Sequence, residues 1–192
     1  IKPIIGVDFS LQQTGAQSQS TNILLLAQNL IGYKNLITLI SRSYKEGQYG
    51  GRPHILDHWL EEGTDGLIAL SGAQKGAVGA ALSSSRLADA KRLLKHFMNL
   101  FPDRFYIELQ RTSRYGEEEY IEPAIHLANE LDCPVVATND VCFLDAGEFE
   151  AHEARVCINE GRTLEDPRRD RRYSDKQFLR SAEDMTKLFE DI

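Results

Sequence analysis

Apolar residues along this chain come in short runs, and the runs alternate between two spacings. KPIIGVDF (Lys2–Phe9), NILLLA (Asn22–Ala27), GLIALSG (Gly66–Gly72), FYIELQR (Phe105–Arg111) and PVVATND (Pro134–Asp140) are compact and apolar, and two of them close on Gly or Asp. That pattern predicts strands. Between them lie segments with helical spacing. QNLIGYKNLITLISRSY carries Leu30, Tyr33, Leu36, Ile37 and Ile40 on one face. Ser85–Phe101 puts Leu87, Leu94, Phe97 and Met98 together behind Ser85 as a cap, and Tyr120–Asp132 follows as another helix. Glu148–Ile158 and Ser181–Ile192 are further helices, the last opening on a capping-box-like Ser181 and Asp184. Short apolar strands alternating with helices predict an α/β fold, a parallel sheet covered by helices. Five strands are too few for a closed eight-stranded barrel, so an incomplete barrel or an open sheet is expected.

The connections are polar. Thr14–Thr21, TGAQSQST, reads as a low-complexity loop, and Ser41–His54 as a Gly-rich, mobile connection. The chain has 192 residues, 42% of them hydrophobic and 27% charged, as in ordinary globular proteins. No apolar run approaches the roughly 18 residues of a membrane helix, and no signal pattern opens the chain. With no initiator Met and a start inside an apparent strand, the chain reads as a fragment of a longer one. Cys133, Cys142 and Cys157 form no even framework and no paired zinc spacing, which favours reduced thiols in a cytosolic protein. A net charge of −7 argues against a surface that grips nucleic acid everywhere. Arg162–Arg180 is the local exception, with seven basic and four acidic residues. It is either a solvated loop or a contact for nucleic acid or a partner.

In α/β folds the chemistry gathers at the carboxyl ends of strands. The ends here are Asp8, the Ser71-Gly72-Ala73 turn, Glu108, and the Asn139, Asp140, Cys142 cluster. Asp8, Asp140 and Cys142 could line one metal pocket, but no histidine stands at any of these ends. The five histidines fall elsewhere. His54 and His58 are expected to be exposed or capping, His96 on a polar helix flank, and His126 at a core boundary. His152 begins a His-Glu pair, but Val156 stands where H-E-x-x-H needs its second histidine. Nucleotide-binding glycine motifs and a nucleophile elbow are missing. The acidic run Glu117, Glu118 and Glu119 is read as a solvated first helical turn.

The segments IKPIIGVDF, LLLAQNLIGYKNLITLIS, DGLIALSG, FPDRFYIELQRT and PVVATNDVCFLD, in this order, resemble the PHP (polymerase and histidinol phosphatase) domain of bacterial replicative DNA polymerase III alpha subunits. FEAHEARVCINEGRTLEDPRR and YSDKQFLRSAEDMTKLF continue the likeness to the end of the chain. The resemblance implies a distorted, TIM-barrel-like (βα)7 barrel, here incomplete. Residues 1–192 would be one PHP domain fragment, lacking the family's first strands and the later polymerase domains. It also implies metal-ligand positions, carried over one by one. The acidic position after the I-K-P-I strand is Asp8. The histidine opening the next strand is replaced by Asn22, and the cysteine after the L-S-G turn by Ala73. The aspartate of N-D-V remains as Asp140, and the following histidine position holds Cys142.

Two acids survive and every imidazole is gone. The resemblance therefore implies a metal-free scaffold with no catalytic residue of its own. The loss resembles the branch of the family that docks a separate proofreading exonuclease (epsilon) subunit, which implies that partner and a cytoplasmic location. The alternative is a metal-dependent phosphoesterase or 3′–5′ exonuclease with residual activity. DNA synthesis, its Mg, the primer-template DNA and the other holoenzyme subunits would belong to the longer chain. The absence of the preceding strands should leave an open edge near Ile4, Ile5 and Val7, so the fragment is expected to self-associate.

Overall fold

The computed structural model describes residues 2–12 and 20–192. Most of the loop read at Thr14–Thr21 lies outside them. The elements in chain order are β1 (Gly6–Gln12), β2 (Thr21–Ala27), α1 (Leu30–Lys45), β3 (Gln48–Tyr49), β4 (Arg52–Pro53), β5 (Ile55–Leu56), α2 (Asp57–Leu60) and β6 (Leu67–Leu70). They continue as α3 (Ala77–Ser83), α4 (Leu87–Leu100), β7 (Phe105–Gln110), α5 (Glu117–Leu131), β8 (Val135–Thr138), α6 (Phe149–Glu160) and α7 (Ala182–Leu188). Short 3-10 turns sit at Ala73–Lys75 and Ala146–Glu148. Every strand and helix anticipated from the hydrophobic pattern is present. The chain divides into two compact units, Ile1–Glu108 with Glu122–Val136, and Leu109–Ile121 with Ala137–Ile192.

The first unit is built on a sheet of order β5-β1-β2-β6-β7-β8. The expected all-parallel pairing is corrected here. β1 with β2 and β2 with β6 run antiparallel, while β1 with β5 and β6 with β7 run parallel. For β1 and β2 the reason is connection length. Eight residues separate Gln12 from Thr21, and a parallel return needs a crossover of about a dozen or more.

Alternation along β1 and β2 then sorts the side chains. Phe9, Leu11, Ile23 and Leu25 are buried on one face, while Asp8, Ser10, Asn22 and Leu24 lie on the other, half-exposed face. The core also holds Leu36 and Leu39 of α1, Val78 and Ala81 of α3, and Leu94 and Phe97 of α4. Phe97 stacks on Phe105 at 5.4 Å.

Local chemistry fixes the ends of these elements. The Asn29 side chain accepts from the backbone N–H of Ile31 and Gly32 at 3.0 Å each and so caps α1, a contribution of about 1 kcal/mol. Gly32 is required there, because a Cβ would stand 1.8 Å from the Gly66 carbonyl oxygen. The Gly-rich connection is more ordered than its composition implies. α1 runs on to Lys45, and Gly50 and Gly51, both at positive φ, turn the β3–β4 hairpin. At α4 the expected capping Ser85 instead takes φ 56 and Arg86 is the N-cap without a side-chain bond. Leu87 is half exposed rather than packed. Ser181 does cap α7, accepting from the Asp184 N–H at 3.1 Å.

Candidate functional site

The anticipated positions fall into two groups, one in each unit. In the first unit, Asp8 does not end its strand. β1 continues to Gln12, so Asp8 is its third residue, on the half-exposed face. Asn22 sits on the same face, and its Nδ2–H donates to Asp8 Oδ2 at 3.3 Å. The turn after β6 comes up against the same residue. Asn22 bridges to Gly76, and a Cβ on Gly72 would lie 2.4 Å from the Asn22 carbonyl oxygen. Gly72 takes φ 76 to allow that approach, and Ala73 follows at φ 47, in the left-handed region that costs a non-glycine residue. Asp8 and Asn22 thus share one face, and the turn that carries the buried Ala73 packs against the Asn22 backbone. The pair on that face is an amide donor on a carboxylate, a poor set for a divalent ion.

In the second unit, β8 ends at Thr138, and Asp140 turns the chain at φ 42, a conformation that aspartate tolerates better than most residues. β8 itself is not the buried strand its sequence implies, since Val135 is 41% exposed at one end of the sheet order. The Asp140 carboxylate is held by Arg114, whose Nη1 donates to Oδ2 at 2.5 Å, and by Gln177, whose Nε2 donates to the same oxygen at 3.2 Å. Gln177 is fully buried and also donates to the Asp140 carbonyl at 3.1 Å and to Cys142 Sγ at 3.5 Å. Asp140 and Cys142 are therefore brought together, with one amide between them.

Arg114 is the hub of this cluster and was missed in the sequence. Its Nε donates to Glu117 Oε1 at 2.8 Å and its Nη2 to Gln110 Oε1 at 2.8 Å. Burial works against the guanidinium charge, but the Glu117 hydrogen bond and the charges of Asp140 and Glu117 outweigh it and raise its pKa. Glu117 corrects a second expectation. It is 4% exposed, not solvated. Its carboxylate accepts from the Thr112 N–H at 2.6 Å and the Thr112 hydroxyl at 2.7 Å as well as from Arg114. The signal that could have revealed this was the Arg114…Glu117 spacing of three at a helix start, beside Thr112. Ser174 donates its hydroxyl proton to the Thr112 carbonyl, and Asn139 Nδ2 donates to the carbonyls of Lys176 and Phe178. The Arg162–Arg180 stretch is thereby tied into the unit.

That stretch is a largely exposed loop, as one of its two readings has it, and it is laced with ion pairs. Arg162 and Arg168 pair with Asp166, Arg169 with Glu153 at 2.5 Å, and Arg172 with Glu160 at 2.7 Å. These four of its seven basic residues are thus paired inside the second unit.

Of the histidines, His54 and His126 depart from their anticipated places, while His58 and His96 keep theirs. His54 is 6% exposed, its Nδ1 2.9 Å from the Arg52 carbonyl oxygen, whereas His58 is exposed and shares no helix face with it. His96 pairs with Asp57 at 3.0 Å. His126 is exposed, because its position on α5 falls outside the buried Ala124, Leu127 and Ala128. Glu108 is buried within β7, its N–H donating to Ser71 Oγ at 3.0 Å. No disulfide links Cys133, Cys142 and Cys157. Among the described residues no three His, Cys, Asp or Glu side chains converge as metal ligands, and no helix is long and apolar enough to cross a membrane.

A mixed α/β sheet with polar residues gathered on its half-exposed face, and a turn of Asp140 beside it in sequence, matches a known class. Residues 1–112 fit the PHP domain family, and the chain belongs to that family. Over its whole length it is 50% identical to the DNA polymerase III subunit alpha of Pseudomonas aeruginosa, 48% to that of Vibrio cholerae and 46% to that of Escherichia coli K12. The chain spans 16% of the Pseudomonas aeruginosa subunit and 17% of the other two.

Proposed function

We propose that this chain is the PHP region of a replicative polymerase alpha subunit and works as a scaffold: it holds no catalytic metal and docks a proofreading exonuclease subunit. The observation that carries the metal-free reading is the pairing of Asp140 with Arg114. A guanidinium already supplies the positive charge that a cation would supply, and Gln177 fills a further acceptor site on the same oxygen. At the other positions an amide donates to Asp8, a methyl group stands at Ala73, and Cys142 Sγ accepts from Gln177. These residues do not fit a divalent ion, which needs open lone pairs and, for hydrolysis, imidazole or a carboxylate set. Asp8, Asn22, Ala73, Asp140 and Cys142 are on this reading the remnants of a metal pocket.

A domain relieved of chemistry is free to serve as a platform. Polymerisation, Mg, primer-template DNA and the other replisome subunits belong on this account to the longer alpha subunit. Docking is tested by sedimentation of this chain with the proofreading exonuclease subunit of the same replisome. A one-to-one complex that forms without added metal, and survives a chelator, is expected. Two independent species at tens of micromolar would overturn the docking role.

A further inference from the structure

The second unit contains a cleft of about 350 Å³ that neither the remnant pocket nor the scaffold reading explains. Its walls come from α6 and from the segment before Ser174: His152, Arg155 and Asn159 on one side, Arg172 and Tyr173 on the other, with Cys142 at the margin. No carboxylate lines it, in a chain whose net charge is −7. The two arginines differ in state. Arg172 is tied to Glu160 at 2.7 Å and lies over the Tyr173 ring at 5.5 Å. Arg155 is exposed and enters none of the ion pairs among the described residues.

His152 supplies the second observation. Its ring packs edge-on to Tyr173 at 4.6 Å and against Phe143 at 5.5 Å, so its orientation is fixed by aromatic neighbours. Its Nε2 is buried with no hydrogen-bond partner among the described residues. Such an atom is uncommon in folded proteins and costly to leave unpaired. A cleft with two guanidinium groups, an amide, a phenol and an unsatisfied imidazole nitrogen has the donor inventory of an oxyanion site. The volume is at the lower end for small-molecule sites.

We infer that this cleft binds a phosphate group, as the free anion or as the phosphoryl end of a small monoester. Arg155 and Arg172 provide the charge, Asn159 and Tyr173 provide directional hydrogen bonds, and the His152 ring packs against Tyr173 and holds it at the cleft wall. Arg155 is the larger contributor, because Arg172 already has Glu160 to neutralise. The cleft shares only Cys142, at its margin, with the remnant pocket, and neither arginine of the cleft pairs with Asp140 or Arg114, so phosphate binding can fail without the scaffold reading failing.

The test is an NMR titration of the 192-residue chain with inorganic phosphate, and in a second arm with adenosine 5′-monophosphate, at ionic strength held constant with chloride. Shifts that saturate in the millimolar range and centre on Arg155, Asn159, Arg172 and Tyr173 are expected. Arg155→Gln should weaken binding roughly tenfold, the loss of one charge-assisted contact. Arg171→Gln, which removes an exposed cation that does not line the cleft, is the charge control and should leave it unchanged. Tighter nucleotide binding would show that the cleft also holds sugar or base, and equal affinity would show that the anion is the whole ligand; either outcome upholds the site. Shifts that rise linearly without saturation, or that persist undiminished in Arg155→Gln, would overturn it. Arg155 is exposed, so its replacement does not threaten the fold.

Discussion

Replacing Arg114 by Leu removes the guanidinium from the cluster at Asp140 and tests how the second unit is held together. Three partners lose a donor. Glu117 is 4% exposed and loses the bond to Arg114 Nε. Removing one partner of a buried ion pair costs about 3–5 kcal/mol. The two Thr112 donors on Glu117 remain at 2.6 and 2.7 Å and moderate that cost. The Asp140 side chain is 38% exposed, so water replaces its lost contact, and pairs of that kind contribute about 1 kcal/mol or less. Together these give a loss of about 3 kcal/mol.

The chain has two compact units, so a single denaturation curve could blend two transitions. Amide hydrogen exchange reads the second unit directly, and the Thr112 N–H, bonded to Glu117, is the natural reporter. An opening energy lowered by about 3 kcal/mol accelerates exchange roughly a hundredfold. Glu117→Gln in the Arg114→Leu background removes the stranded charge and should recover about half of the loss. Acceleration below about fivefold, equivalent to about 1 kcal/mol, would refute the view that Arg114 neutralises this cluster.

Other outcomes follow from the same structure. Gly32→Ala should destabilise the first unit by about 3 kcal/mol, near the upper end for overpacking, because backbone rather than a movable side chain blocks the new Cβ; a urea midpoint within error of the parent chain would contradict this. The Cys133 thiol, pushed up to about 11 by burial, should stay unmodified by a disulfide reagent at pH 8 while Cys142, only partly buried, reacts first; mass mapping of the labelled thiols decides the order. The Arg111 guanidinium, hydrogen-bonded to Asp191, holds its carboxyl below the ordinary value of 3.8. This contact adds stability above that pH and loses it as pH falls through the depressed value, so exchange of the α7 amides should quicken in acid below about pH 4 in the parent chain but not in Asp191→Asn. Ile4 and Ile5, 71% and 50% exposed before β1, should make this chain self-associate, and a constant sedimentation coefficient across a wide concentration range would argue against it.

Periodicity carried the fold class because strand and helix spacing are local properties. NILLLA and SRLADAKRLLKHFMNLF announce a strand and a helix whatever surrounds them. Strand direction was not legible in the same way. The β1–β2 reversal depends on the length of a connection, and the open sheet needs no uniform crossover. Burial of single polar residues was the least legible, since Glu117 looked like any acid in a first helical turn until Thr112 and Arg114 closed on it. His126 and His54 failed in opposite directions for a related reason: the helical phase of one and the loop path of the other are set by tertiary packing. At the site, Asp8, Ala73, Asp140 and Cys142 were legible as strand ends, whereas Asn22, and the ligand position assigned to each, came from resemblance to the family. Arg114 and Gln177 escaped notice because their roles arise from residues 26 and 37 positions away in the chain.

The most direct test of the central claim is the metal content of the chain itself, purified in buffers carrying zinc and manganese and then freed of excess ion. The arrangement of Arg114, Gln177 and Asn22 on the surviving carboxylates predicts far less than one metal per chain, with no change in Asp140→Ala. About one or more tightly held ions per chain, lost in Asp140→Ala, would contradict the scaffold account and return this domain to the metal-dependent members of its family.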